Sequence, residues 1–333
     1  MLSEAALEGR VLVTGAGGFA ARHLLPRLAR HVDPELGHAA VFGPSGPDSA
    51  PTLPQGFRAL SCDLTDAGAI DALIAAVRPD HVIHLAAQSS VGASFADGGR
   101  RTWSVNFDGT AALAGALLRH APAATLLFAS TVEVYGLAFR AGRLDETAAT
   151  APQNPYARSK RAAEDFLQDT LAGRLPLIIA RLTNHSGAGQ SAQFVLPSFA
   201  RQIARIEAGL EPPVLLVGNL DAERDFLHVD DVIDAELTLL TRSTSLAHQV
   251  YNVASGTPVP IRALLQRLLA LAACPIEVRQ DPARLRPSDI PRVDIDPGRL
   301  IGETGWRPGR SLDQLLAGVL EDQRRQIAGQ PGH

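Results

Sequence analysis

The chain has 333 residues, 46% hydrophobic and 20% charged, a composition with core enough for one large or two moderate domains. Its 31 basic and 35 acidic residues leave a formal charge of −4, so no field of one sign marks nucleic acid or an anionic membrane as a partner. Cys62 and Cys274 form neither a disulfide framework nor a zinc spacing, so no metal is expected; no apolar run is long enough to span a bilayer, and residues 1–10 carry Glu4 and Glu8 in place of a signal core, so a cytoplasmic protein is expected.

Residues 10–14 read as a buried strand with Val-Leu-Val at its centre. It runs into Gly15-Ala-Gly-Gly18-Phe19-Ala20-Ala21, and then Leu24, Leu25 and Leu28 recur at helical spacing. Strand, glycine turn and helix in that order open a dinucleotide-binding unit. Gly15 permits the tight turn, and Gly18 lets backbone approach a diphosphate seated on the helix N-terminus. Ala21 stands where a third glycine often stands; a plain structural turn is the alternative.

Residues 39–42 predict a second strand, whose end is Gly43-Pro44-Ser45. Neither an acid nor an arginine stands there to read the ribose, so NAD(H) against NADP(H) stays open. Residues 43–56, rich in Pro, Gly and Ser, predict a surface loop. Residues 57–61 predict a third strand ending in Cys62-Asp63-Leu64. Asp63, at a strand's carboxyl end, suits the adenine amino group or else caps a helix over residues 65–77. A fourth strand over 79–85 ends in Ala86-Ala87-Gln88, small enough for a ring or ribose to lie on the backbone. An Ala-rich helix over 101–120 carries Asn106 and a small face of Ala112, Gly115 and Ala116. A fifth strand over 125–129 ends in Ser130-Thr131-Val132-Glu133, where a hydroxyl can hold a substrate oxygen. This alternation predicts a Rossmann-type, doubly wound parallel sheet, without internal repeats.

Next comes Asn154-Pro155-Tyr156-Ala157-Arg158-Ser159-Lys160. With Pro155 opening a helix, Tyr156 and Lys160 share a face. An ammonium beside a phenol favours phenolate and lowers its pKa, which suits acid–base work near neutrality. Alone, the spacing also fits a surface tyrosine and a solvated lysine.

With the glycine turn, Asp63, Ser130-Thr131 and Tyr156-x-x-x-Lys160 in one order, the chain resembles the extended short-chain dehydrogenase/reductase family. The resemblance implies NAD(H) or NADP(H), a nucleotide-sugar substrate, and a Thr131–Tyr156–Lys160 triad in which Lys160 also holds the nicotinamide ribose. It implies cofactor contacts at Gly15, Gly18, Phe19, Ala20, Asp63, Leu64, Leu85, Ala86 and Ala87, and substrate contacts at Gln88 and Asn106. It also implies a homodimer through a four-helix bundle built from helices 101–120 and 156–171, with a tetramer as the further possibility.

The second half carries Arg181-Leu-Thr-Asn184-His185, then Gln193-Phe194-Val195 through Arg201, Arg224-Asp225, and Arg284-Leu-Arg286-Pro-Ser-Asp289. These resemble the GDP-sugar branch, most of all the GDP-4-dehydro-6-deoxy-D-mannose reductases, and also the GDP-mannose 4,6-dehydratases. Arginine pairs bidentately with phosphate oxygens, so Arg224 is the expected diphosphate clamp. Asn184 can donate to diphosphate or sugar, Phe194 and Val195 can cover a base, and Arg201, Arg286 and Asp289 complete the expected substrate set. The bland alternatives are a surface Arg224–Asp225 ion pair and a turn role for Asn184; His185 is left unassigned.

Reduction of a 4-keto sugar needs a proton donor, which Tyr156 supplies with Thr131 polarising the carbonyl. A 4,6-dehydratase also needs a base at C5, and Glu133 sits where dehydratases carry theirs. Val132, where a dehydratase has an acid or a serine, can neither donate nor accept. The glycine turn also lacks the Gln-Asp-Gly usual in GDP-mannose dehydratases. Both departures favour GDP-D-rhamnose formation by reduction, with dehydration or epimerisation as the alternative and a non-catalytic NAD(P)-binding regulator as the remote one. Residues 1–182, with 221–255 returning, are expected to form the dinucleotide domain. Residues 183–220 and 256–333 are expected to form a mixed α/β substrate lobe.

Overall fold

Seven parallel strands run in the spatial order Val250–Val253, Leu177–Leu182, Thr125–Thr131, His81–His84, Val11–Thr14, His38–Phe42, Phe57–Ser61. They belong to a computed structural model that describes residues 7–43, 53–285 and 290–329. The first strand lies inside the sheet, with two strands on one side and four on the other. The chain builds outward on one side of it, then returns and builds outward on the other. The order therefore reverses between Val11–Thr14 and His81–His84, and such a switch point opens a crevice at the strands' carboxyl ends. Every residue of Val11–Thr14 and of Thr125–Thr131 is buried, as expected for strands covered by helices on both faces.

The two faces have separate cores. One packs Leu24 and Leu28 of Phe19–Leu28 with Val232 and Leu239 of Val229–Thr241. The other packs Ile70, Ile74, Leu113, Leu117 and Leu167 from three further helices. Helices Val195–Glu207, Ile261–Ala270 and Leu312–Ala328 share a third core around Phe199, Leu264 and Leu316. Beside them lies the parallel pair Val214–Val217 and Glu277–Gln280. Part of the expected lobe range lies elsewhere: Leu300 and Trp306 pack into the sheet's core, and Val293 and Ile295 pack with Val132 and Tyr135.

Three local departures matter for the site. The fifth strand extends to Thr131, because Leu177–Leu182 pairs with it through Thr131 opposite Leu182. The helix after Asp63 is Ala67–Val77, and its cap is Asp66, which accepts from the amides of Gly68 and Ala69 at 2.9 and 3.1 Å. The helix expected over 101–120 is interrupted: Arg100–Trp103 and Gly109–His120 flank a π-helical turn at Ser104–Asp108. The wider turn carries Asn106, which is only 1% exposed.

Candidate active site

A cleft of about 580 Å³ opens at the carboxyl ends of the strands, between the glycine turn and the lobe. Of the expected residues, Gly15, Gly18, Phe19, Ala20, Leu85, Ala87, Thr131, Glu133, Tyr156, Lys160, Asn184, Val195 and Arg224 line it.

Its floor is the glycine turn. Gly15 has φ +74°, and a Cβ there would lie 2.8 Å from backbone atoms of Ala86. Only glycine lets the first and fourth strand ends meet so closely. The Gly18 amide donates to the Gly15 carbonyl at 2.8 Å, and Gly18 opens helix Phe19–Leu28 without a side-chain cap. The helix's first amides thus have no capping side chain, as an anion site requires. The cradle at Gly15 and this bare helix end fit a dinucleotide diphosphate.

A buried chain of hydrogen bonds braces the floor. The Ala86 amide donates to Thr14 Oγ1 at 3.3 Å, and Thr14 Oγ1 lies 2.7 Å from His84 Nδ1. His84 Nε2 lies 3.0 Å from Thr110 Oγ1, which donates to the Asn106 carbonyl at 2.7 Å. Burial, then the Lys160 charge, pushes His84 down to about 3, so the ring is neutral. Because the Thr110 proton is committed to Asn106, Nε2 must be the protonated nitrogen and Nδ1 the acceptor.

Asn154 caps helix Pro155–Leu171 through Ala157 N at 2.8 Å, which sets Tyr156 in the first turn. The half-buried Tyr156 lines the cleft with Thr131. Burial, then the charge of Glu133, pushes its phenol up to about 12, against the pull of the Thr131 hydroxyl. Lys160 is 2% exposed, donates to the Ala129 carbonyl at 2.7 Å and lies 4.5 Å from the centroid of Phe128. Burial pushes it down to about 7, while Glu164 holds it up. The expected sign is therefore corrected: in this structure the phenol is raised. Lys160 places its ammonium on a carbonyl and a ring face, and loss of water dominates both groups.

Sequence reasoning missed the group behind Lys160. Glu164 is fully buried and accepts from Ser130 Oγ and from Arg181 Nη2 at 2.7 Å; Arg181 Nη1 also reaches the Tyr135 hydroxyl at 3.0 Å. Glu164 stands one helical turn after Lys160, and that spacing was the available signal. His185 also lines the cleft, its ring stacked on Phe19 at 6.2 Å.

Other expected residues are placed differently. Asn106 does not line the cleft; its side chain accepts from the Gln88 amide at 2.8 Å and donates to the Gln88 carbonyl at 3.2 Å and to Ser159 Oγ at 3.0 Å. It clamps the fourth strand's end to the Tyr156 helix. Gln88 turns its own amide to the Ser90 carbonyl at 3.2 Å, outside the cleft lining. Arg201 lies in a neighbouring groove with Arg205, joined to the cleft through Ser198 and Arg284. Asp63 is exposed and accepts from Thr65 N and Oγ1 at 2.9 and 2.8 Å, bonds that lower its pKa. Leu64 packs against the second core, and its carbonyl abuts Gly109. Asp225 is buried on Ser255 and Thr257, so it makes no surface ion pair with Arg224. Arg286 and Asp289 lie outside the described residues.

The model of the GDP-mannose 4,6 dehydratase family matches residues 12–319. The chain is 38% identical over 315 residues to the GDP-6-deoxy-D-mannose reductase of Pseudomonas aeruginosa, covering 94% of this chain and 96% of that one. The structure of RMD from Pseudomonas aeruginosa complexed with NADPH superposes with a TM-score of 0.80 at 35% identity, over 96% of this chain and 99% of that one. The UDP-glucose 4-epimerase of Thermus thermophilus, complexed with NAD, superposes with a TM-score of 0.78 at 29% identity, over 95% and 99%. A reversed parallel sheet, a glycine cradle and a tyrosine–threonine pair thus meet a family match along nearly the whole chain, which belongs to the GDP-mannose 4,6 dehydratase family of extended short-chain dehydrogenases/reductases.

Proposed function

We propose that this chain reduces the 4-keto group of GDP-4-dehydro-6-deoxy-D-mannose, giving GDP-D-rhamnose, with NADPH or NADH as reductant. The observation that carries the reading is the Tyr156–Thr131 pair lining the cleft beside the glycine turn. A tyrosine phenol is protonated at neutral pH, and reduction of a ketone needs a proton for the new alkoxide. Similarity to a reductase over 94% of the chain supports the same direction.

Gly15, Gly18, Phe19 and Ala20 would hold the cofactor's diphosphate, Asp63 and Leu64 its adenine, and Leu85, Ala86 and Ala87 its riboses. When bound, the cofactor supplies hydride to C4. Thr131 and Tyr156 grip the carbonyl oxygen, and Tyr156 gives it a proton. Lys160, braced on Ala129, orients the nicotinamide ribose and returns charge to the phenol's surroundings. Arg224, whose Nη1 donates to the Glu223 carbonyl at 2.9 Å, and Arg284 face the substrate diphosphate, with Asn184 beside them. Val195 and Phe194 cover the base.

Glu133 in the same cleft favours a second reading, a 4,6-dehydratase. Against it stands Val132, 2% exposed and without a polar atom on its side chain. Presence of both Tyr156 and Lys160 in the cleft weighs against a non-catalytic regulator. Loss of reduced-cofactor absorbance only on adding the keto-sugar tests the reading. A thermal-shift panel of GDP-, UDP-, dTDP- and CDP-sugars tests the base, because a ligand that binds the native state raises the melting temperature.

The proposed assembly is a homodimer. Trp103, 37% exposed, lies edge-on to Phe107, and Phe107 to Phe166, on the two helices expected to form the bundle. Light scattering in solution distinguishes monomer, dimer and tetramer. No helix among the described residues is long and apolar enough to cross a membrane; a cytoplasmic site of action is part of the proposal.

A further inference from the structure

Glu133 is the one carboxylate among the described residues that line the cleft, and a ketone held there would have an acidic C–H at C5, next to its carbonyl. A carboxylate in that place is a latent base. A reductase must leave that proton alone, or the stereocentre at C5 is lost before hydride arrives. The structure shows how the carboxylate is restrained. Asn154 is 7% exposed, and its amide is fixed in orientation because Oδ1 already accepts from Ala157 N at 2.8 Å as the helix cap. The other end of the same amide, Nδ2, donates to Glu133 Oε2 at 3.3 Å. Glu133 is also held from its backbone, since its amide donates to Thr131 Oγ1 at 3.2 Å.

We infer that Asn154 is a specificity-determining positioning residue: one amide caps the Tyr156 helix and ties back the Glu133 carboxylate, so that the site reduces its keto-sugar without enolising it. The tie acts through position: it holds the carboxylate against the helix start, on the side of Asn154. Val132 adds no acid or hydroxyl that could compete for Glu133 or relay its proton.

The suppressed step is a simple proton transfer. The C5–H bond breaks, the proton goes to Glu133, and the electron pair forms the C4–C5 double bond of an enolate whose charge falls on the C4 oxygen. Return of a solvent proton to C5 restores the ketone. No oxidant or reductant takes part, so the step can be followed without reduced cofactor.

This inference rests on the reductase reading, and the test separates the two. GDP-4-dehydro-6-deoxy-D-mannose is incubated with protein in D2O without reduced cofactor, and deuterium at C5 is read by proton NMR. Wild type should exchange at the buffer rate, and Glu133→Gln should not change that. Asn154→Ser, which keeps a helix-capping hydroxyl but removes the tie, should exchange about a hundredfold faster. Asn154→Ser combined with Glu133→Gln should return to the buffer rate. Rapid wild-type exchange that Glu133→Gln abolishes overturns the inference, and that arm needs no Asn154 variant. An Asn154→Ser protein with a native melting profile and the wild-type rate overturns it as well. If wild type reduces the keto-sugar when reduced cofactor is added, those outcomes sink only the inference. If it does not, the reductase reading itself fails.

Discussion

Lys160 reaches from the Tyr156 helix to the strand that ends in Thr131, where it donates to the Ala129 carbonyl at 2.7 Å. One side chain therefore joins the two elements that supply the candidate acid and its partner hydroxyl. Its depression from 10.5 to about 7, caused by burial and opposed by Glu164, has a consequence for stability. The folded state binds this proton less well than the unfolded state, so stability rises with pH between about 7 and about 10. Melting temperatures of the cofactor-free protein should gain on those of Lys160→Met across that window. Parallel curves would show that Lys160 is not desolvated.

Tyr156→Phe should lower turnover by about 100- to 10,000-fold, the range for loss of a general acid, while GDP binding persists. Turnover and GDP titration on the same preparation check this. Unchanged turnover would remove the phenol from the chemistry.

Glu236 offers a test of the electrostatics far from catalysis. It is 1% exposed on helix Val229–Thr241, neither carboxyl oxygen has a hydrogen-bond partner, and burial pushes it up to about 8. The folded state binds this proton more tightly, so wild type loses stability as pH rises from about 4.5 to about 8. Glu236→Gln should therefore melt progressively higher than wild type over that range. A constant difference would contradict the assigned burial.

Gly15→Ala would set a Cβ 2.8 Å from the Ala86 backbone at φ +74°. The variant should lose about 1–3 kcal/mol of stability and bind cofactor more weakly. Denaturant melts and a fluorescence titration measure both effects.

The dinucleotide floor was legible because each part has a local cause: a buried apolar run, glycines where backbone must approach, and a helix face at regular spacing. Val11–Thr14, Gly15 and Tyr156 follow from such patterns. Asn106 did not, because a single π-helical turn has no sequence period, and the turn commits its amide to Gln88 and Ser159. The order of the Tyr156 and Lys160 pKa shifts was also hidden. Spacing says the two groups share a helix face, but only packing says that Lys160 is sealed from water while Tyr156 is half-buried at the cleft. Arg201 shows a further limit: one helix, Val195–Glu207, serves the cleft at Val195 and a separate groove at Arg201.

The most direct measurement pairs two incubations of the purified protein, with products identified by NMR. One holds GDP-4-dehydro-6-deoxy-D-mannose and reduced cofactor; the other holds GDP-mannose and oxidised cofactor. A reductase gives a GDP-6-deoxyhexose reduced at C4 in the first and leaves GDP-mannose unchanged in the second. A 4-keto-6-deoxy product in the second, with untouched keto-sugar in the first, would contradict the reductase reading.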